Sequence, residues 1–517
     1  METTTKEDFI NCINPANGKG FFQIKQSSAS ELREKIQNAR NSFPLWSALE
    51  IEKRVEYLNR LYKTIIAQRR TLAEGISKNT GKPIAEAYLT EIASTLQVLE
   101  FLIRDSKNLL SNKKIDLGFL YPTKNSFISY EPFGVIAIIE PWNYPFYLSL
   151  SAITKALICG NTVVFKPSSY TSYVGNLIET LFKKCDFPNG VINFIYGDGK
   201  VAWGIIKSNP SVDKVVFTGS VDVGREIAQE CSKRFLPCSL ELGGKDPAIV
   251  LKNSNLDFAA NGILWGALSN CGQACASIER VYVNSDIYEA FVEKISALIR
   301  QLKIGLPEDD ETDIGPLMNE EQIKKVESHI NDAVIKDAKI HCGGKRIEKD
   351  GFYFEPTVLS NVNHSMKIMT EETFGPTIPI MRFDNTEEAI KLANDSNYGL
   401  AGSIWTNDLE IGKQLAKRLN CGTVWINDSL FLQAHPKCPW TGYKESSYGS
   451  STIYDFARQK HISLDQGFIP SVRPKNFWWY PYKGKARSFH DLIEVVFKIG
   501  VKEKAKAAFN TFIDFLK

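Results

Sequence analysis

The sequence predicts an α/β protein built from more than one domain, and three observations predict it. Its 517 residues exceed what one hydrophobic core usually organises. Short β-branched runs alternate with helical stretches through the middle of the chain, as they do when crossover helices join parallel strands. Several runs are apolar throughout, as in GVIAIIE at 134–140, and a strand buried on both faces reads that way.

Taken in order, residues 30–112 place apolar side chains at three- and four-residue spacing, which predicts helices, with Gly81 and Pro83 supplying a break. SFISYEP (126–132) alternates with period two and predicts a strand with one wet face. Strands follow at 162–167, 191–197, 214–220 and 247–251, with helical patterns between them. Ligands of parallel sheets bind where strands end, which is where Lys166, Ser220 and Gly243 fall. A second alternating block spans about 246–443, with RVYVN, EPTVLSNV, GPTIPIMRF and CGTVWIND as strands. No internal repeat or low-complexity segment interrupts the chain.

Composition narrows the function classes. The chain is 43% apolar and 23% charged, as soluble globular proteins are, and its net charge of +3 gives no field for nucleic acid. Ten cysteines lie scattered without CxxC pairs, so neither a metal site nor a disulfide framework is expected. METTTKEDFINCINP lacks the apolar core of a secretory signal, and no run is long enough to span a bilayer. A cytoplasmic body is the expectation. The segment 471–517 stands apart, with ten Lys/Arg against four Asp/Glu.

Three short motifs carry chemistry. GQAC (272–275) flanks Cys275 with small residues; a cysteine is ordinarily a small buried hydrophobe, but here a substrate has access to the sulfur. ELGGK (241–245) puts a carboxylate before two glycines. Glu241 is then either a solvated charge or a group where backbone approaches a ligand or loop closely. PWNYP (141–145) locks Asn143 in a turn, where its amide either satisfies its own backbone or donates to a developing oxyanion.

In this order and spacing, PWNYP, GNTVVFKPS, FTGS, ELGGK, GQAC, EETFGP and PWTGYKES resemble the aldehyde dehydrogenase superfamily, over about residues 10–465. The resemblance implies two Rossmann-like α/β domains, a β-strand oligomerisation extension and, in this chain, an amphipathic C-terminal tail. Residues 1–113 with 133–244 would bind NAD(P) and 245–443 would carry catalysis. Residues 114–132 with 444–470 would join subunits into a homodimer or homotetramer. It implies Cys275 as nucleophile, Asn143 as oxyanion donor and Glu241 as general base. That base favours hydrolysis to a free acid over acyl transfer to coenzyme A. The cofactor, NAD or NADP, is assigned Trp142, Lys166, Ser169, Gly219, Ser220, Gly224, Leu242, Glu372 and Phe374. GDGKVA (197–202) has the form of a dinucleotide fingerprint, but the family does not bind pyrophosphate through that turn.

Departures from the family pattern shape the finer expectations. Ser169 stands where strictly NAD-dependent members commonly carry Glu, which removes a barrier to a 2′-phosphate and opens NADP use. Thr441-Gly442 and Ser446-Ser447 replace the usual glycine-rich pattern near the substrate mouth and subunit contacts. Cys271 reads as packing and not as a redox partner. The substrate positions Tyr144, Leu148, Ser151, Leu430 and Phe431 are mostly apolar, which favours an aliphatic or aromatic aldehyde over succinic semialdehyde. Retention of Cys275, Asn143, Glu241, Lys166 and Glu372 argues against a non-enzymatic scaffold.

The tail begins with KNFWWYPY (475–482) and continues with helically spaced Phe489, Leu492, Ile493, Val496, Phe509, Phe512, Ile513 and Leu516, lysines marking the other face. It reads as a helix docked on its own or a neighbouring subunit, or as a peripheral membrane contact.

Overall fold

The computed structural model describes residues 9–118, 123–208, 211–430, 435–449, 451–465 and 479–497. Phe431 and most of the tail, including Phe509 to Leu516, lie outside the described residues. Contacts divide the chain into two units, Met1–Ser111 with Tyr130–Lys460, and Asn112–Ser129 with His461–Lys517.

The larger unit opens with an antiparallel hairpin, β1 (Phe9–Asn14) and β2 (Lys19–Lys25), turned at Gly18 with φ +68°. The helix Ala29–Ser47 starts in a capping box between Ser28 and Glu31 and carries Pro44 in its last turn. The helix Ile51–Thr80 stops at Gly81, whose φ of +77° is the left-handed turn that glycine adopts without strain. In the smaller unit β3 (Lys113–Ile115) pairs with β4 (Lys124–Pro132), which neighbours β18 (Ala457–Asp465) in a three-stranded sheet. The amphipathic helix Ala486–Phe497 also belongs to that unit, with Ile493 and Phe497 exposed.

A six-stranded sheet is formed by β5 (Val135–Ile139), β6 (Thr162–Lys166), β7 (Ile192–Phe194), β8 (Lys214–Thr218), β9 (Cys238–Glu241) and the edge strand β17 (Ser447–Tyr448). Its order is β17-β9-β8-β5-β6-β7, and all neighbours are parallel except β17 on β9. The chain runs outward from β5 to β7 and then returns to the other side of β5 at β8. The crevice between the ends of β5 and β8 is therefore the switch point at which such sheets bind ligands. Register makes this concrete: Ile139 pairs with both Lys166 and Phe217, and Thr218 pairs with Glu241, so PWNYP, Lys166, Gly219 and Glu241 emerge at one end.

The expectation of a sheet covered on both faces holds residue by residue. Ile136 and Ile138 pack with Leu58, Leu61, Ile153 and Leu157 on one face. Val135, Ala137 and Ile139 pack with Ile36, Val201, Ile205 and Ile227 on the other.

A seven-stranded sheet follows: β10 (Asp246–Val250), β11 (Ile278–Asn284), β12 (Lys339–Cys342), β13 (Thr357–Ser360), β14 (Thr377–Phe383), β15 (Ala401–Trp405) and β16 (Thr423–Ile426). Its order is β12-β13-β14-β11-β10-β15-β16, with β12 the antiparallel edge. The architecture is the α/β one predicted. The sequence reading lacked the β1–β2 hairpin, and it took 84–109 as regular helix where the structure inserts a π-helix, Ala87–Ala93. Among the described residues no helix is long and apolar enough to cross a membrane.

Candidate active site

Cys275 lies on the loop between the helix Leu256–Leu268 and β11. Asn270, Cys271 and Gly272 have φ of +54°, +58° and +74°, a left-handed run that folds the loop back on itself. Such a conformation costs a non-glycine residue about 1–3 kcal/mol. A side chain at Gly272 would meet the Gly375 carbonyl at 2.2 Å, so the third position has to be glycine. The glycines of ELGGK answer to the same crowding: a Cβ on Gly244 would lie 2.3 Å from the Cys275 carbonyl oxygen, and one on Gly243 would meet the Glu372 carboxylate.

Asn143 is buried, and its amide does not satisfy its own turn. Nδ2 donates to the Gln273 carbonyl at 3.1 Å, while the Asn270 amide donates to the Asn143 carbonyl at 3.0 Å. The turn after β5 and the Cys275 loop are thereby stitched together.

Three cavities meet at Cys275. The largest, about 450 Å³, is walled by Tyr144, Tyr147, Leu148, Trp265 and Leu430 and by Leu89 on the π-helix. The second, about 80 Å³, also holds Glu241, Glu140, Lys155 and Asp455. The third, about 190 Å³, is lined by Trp142, Gly219, Ser220, Leu242, Glu372 and Phe374. Leu148 borders all three. Ser151 faces the second cavity and not the large one.

Electrostatics differ sharply among these walls. Glu241 accepts a long bond from the Ser447 hydroxyl, 3.5 Å, and leaves Oε2 without a partner among the described residues. Burial pushes its carboxyl up to about 8 against the pull of the Lys155 ammonium, and Asp455 and Glu140 push it further. Burial likewise raises Glu140 to about 8 and lowers Lys155 to about 8. The Cys275 thiol is pushed up to about 12, first by burial and then by the Asp246, Glu372 and Glu241 carboxylates. Cys271 is buried in the core and raised by the same desolvation, as a packing residue should be.

The lining of the third cavity has the chemistry to hold part of a dinucleotide. The helix Val221–Ser232 starts at Ser220, whose side chain makes no capping bond, so its first backbone N–H groups and a hydroxyl suit an anionic group. Gly224 lets that helix close onto Leu242, since a Cβ there would lie 2.4 Å from its methyl. Nearby Lys166 is buried, donates to the Pro167 carbonyl at 3.0 Å and forms no ion pair among the described residues. Burial lowers its ammonium to about 8. A buried cation bonded to a neutral carbonyl, with the Asp198 carboxylate acting on it only at longer range, suits ribose hydroxyls or phosphate. Lys166, Gly224 and Ser169 stand outside the walls of the 190 Å³ cavity, and Ser169 opens a short turn, Ser169–Thr171.

Glu372 accepts from the Gly244 N–H at 3.1 Å, and Phe374 meets Trp142 edge-on with ring centroids 5.5 Å apart. Their loop hangs from Glu279, which accepts from the Thr373 and Phe374 N–H groups and pairs with buried Lys245 at 2.6 Å. Sequence reasoning missed Glu279, Gln322 and Lys325 here, and the wall formed by Leu89, Tyr147 and Trp265 on the apolar side. These residues come from helices and strands distant in sequence, and no local motif marks them.

The model of the aldehyde dehydrogenase family matches residues 1–461. The chain belongs to the aldehyde dehydrogenase family. A 4,4'-diapolycopene aldehyde oxidase of a Methylomonas species is 36% identical over 490 residues, covering 94% of this chain and 91% of its own. A probable NADP(+) succinate-semialdehyde dehydrogenase of Sinorhizobium fredii is 34% identical, covering 85% of this chain and 89% of its own. Among solved structures, an NAD+ complex of an aldehyde dehydrogenase from Bacillus cereus superposes with a TM-score of 0.85 at 31% identity, over 88% of this chain and 93% of that one. As an aldehyde dehydrogenase, the protein oxidises an aldehyde with NAD or NADP as acceptor. The nicotinamide, when bound, supplies the hydride acceptor.

Proposed function

We propose that this aldehyde dehydrogenase oxidises a large apolar aldehyde to its carboxylic acid through a thioester on Cys275. The convergence of three chemically distinct cavities on one sulfur carries this reading. The Cys275 thiol, which burial holds protonated, loses its proton to solvent as its sulfur attacks the aldehyde carbon. The resulting oxyanion accepts hydrogen bonds from the Asn143 amide and the Cys275 N–H. After oxidation Glu241 takes a proton from water, the water oxygen bonds to the acyl carbon, and the C–S bond breaks to return the thiolate. Glu241 shares its small cavity with Cys275, and its unpartnered oxygen suits this work.

The size and chemistry of the large cavity support the substrate class. A volume of about 450 Å³ is that of a drug-sized ligand, well beyond a four-carbon acid. Neither Lys nor Arg is among its described lining residues; Glu100 and His435 are the carboxylate and the imidazole among them. The Sinorhizobium relative's name favours a semialdehyde, whose carboxylate at the far end needs a cation here. A long aliphatic or polyene aldehyde should exceed succinic semialdehyde in kcat/KM by about 100-fold or more. The reverse order in an aldehyde panel would sink the substrate assignment.

The finer readings rest on the same site. Ser169 supports use of NADP beside NAD, and an NAD preference above roughly 100-fold would exclude it. Residues 1–113 with 133–244 form the cofactor domain and 245–443 the catalytic one. Residues 114–132 with 444–470 join subunits into a dimer or tetramer, which light scattering measures. The C-terminal segment either docks on its own or a neighbouring subunit or gives a cytoplasmic enzyme a peripheral hold on anionic membranes. Exposed Trp479, Tyr480, Ile493 and Phe497 support the membrane reading. Flotation with anionic liposomes, full length against a 1–470 truncation, tests it; equal solubility of both favours docking of the segment on protein.

A further inference from the structure

The short helix Ile84–Glu86 and the π-helix Ala87–Ala93 border the aldehyde cavity through Leu89, Thr90 and Ala93. The same stretch carries two carboxylates that reach the catalytic loops from behind. Glu91, fully buried with Lys82 at 2.7 Å, accepts from the Phe146 and Tyr147 N–H groups at 3.1 and 2.8 Å. Lys82 also lies over the Tyr144 ring, 3.7 Å from its centroid. This half of the arrangement fixes the segment that follows Asn143.

Glu86 addresses the other loop. Its Oε2 accepts from the Asn270 N–H at 2.7 Å, and the Ser269 hydroxyl donates to it as well. Asn270 is the first of the left-handed residues that shape the nucleophile loop. Its own side chain donates to the Asn143 carbonyl at 3.0 Å and to the Gln273 carbonyl at 3.1 Å. The Gln273 carbonyl is also the oxygen that anchors the Asn143 amide. One carboxylate therefore grips the residue through which the nucleophile loop and the oxyanion turn hold each other. Glu86 lines none of the three cavities at Cys275.

We propose that Glu86 is a positioning residue for the reaction: by holding the left-handed Asn270–Cys271 turn it sets Cys275 and Asn143 in register. The inference rests on the reading of Cys275 as nucleophile and Asn143 as oxyanion donor. A strained turn persists only where its surroundings over-determine it, and the Glu86 bond to the strained residue's own N–H is such a constraint. The anchoring oxygen matters more than the charge, because a neutral amide also offers an acceptor in that place.

The test compares kcat, both KM values and the rate at which iodoacetamide alkylates Cys275, with thermal melting to count folded protein. Glu86→Ala should lower kcat by tenfold or more and change the alkylation rate, with KM for aldehyde and cofactor within threefold. Glu86→Gln should restore kcat to within about threefold. Asn270→Gly, which relaxes the backbone but removes the amide, should lower kcat at least fivefold. On that background Glu86→Ala should cost less than twofold, since the strained turn no longer needs holding. Parent kcat in Glu86→Ala, failure of Glu86→Gln to rescue, or additivity in the double variant overturns the proposal. If Glu86→Ala does not fold, parent kcat in Asn270→Gly overturns it instead. Cys275→Ala is the separating control: an active Cys275→Ala enzyme would refute the underlying mechanism and not this inference alone.

Discussion

At the scale of single residues the site works by withholding charge until it is needed. Glu241 is a carboxyl whose ordinary range lies far below neutrality, raised to about 8 by burial. The sign follows from its role: a base must be deprotonated, so deacylation should be slow below pH 8 and rise as pH passes through it. A pH–rate profile under deacylation-limited conditions should show one ascending limb near 8, and Glu241→Gln should flatten it. A limb that stays in the glutamine variant belongs to another group. Asn143→Ala should lower kcat by about 100- to 1000-fold, the usual cost of one oxyanion donor. Stopped-flow measurement of NAD(P)H formation checks this, and a loss under fivefold removes Asn143 from the oxyanion site.

At the scale of elements, the crowding around two loops explains both what the sequence revealed and what it hid. Gly244 and Gly272 sit where any Cβ would strike backbone, and the glycine pair in ELGGK announced that closeness for the first of them. The π-helix was not legible. Its distortion brings Glu91 to Lys82 and to two N–H groups some 55 residues away, and apolar periodicity carries no trace of such partners. Glu279 was hidden for the same reason: its donors at 373 and 374 are supplied by tertiary folding. The Lys245–Glu279 pair is fully enclosed, and removing one partner leaves a buried charge, at a cost of about 3–5 kcal/mol. Glu279→Ala should therefore lower the melting temperature clearly and weaken cofactor binding through the Glu372–Phe374 loop. Unchanged melting would show that the pair contributes nothing net.

At the scale of the whole molecule, strand order does much of the work. The return of the chain from β7 to β8 leaves a crevice beside β5, and register then delivers PWNYP, Lys166, Gly219 and Glu241 to one end. The alternation of apolar runs was enough to foresee that end, because it requires only that the strands be parallel. Cys275, the proposed nucleophile, comes from the other sheet, on the loop that precedes β11, and its sharing a cavity with Glu241 was legible only through the family resemblance. Ser169 bears on the same scale, since cofactor choice decides which cellular pool the enzyme draws on. Initial rates with each cofactor should show NADP supporting at least about a tenth of the NAD rate. Rates below about a hundredth would mean that another group excludes the 2′-phosphate.

The central claim is a thioester on Cys275 that Glu241 releases. Mass spectrometry of the Glu241→Gln enzyme, mixed with a long apolar aldehyde and NAD(P) and quenched in acid, measures it directly. The peptide containing Cys275 should gain the mass of the acyl group, while the parent enzyme shows little. An unmodified Cys275 alongside stoichiometric NAD(P)H would contradict the account.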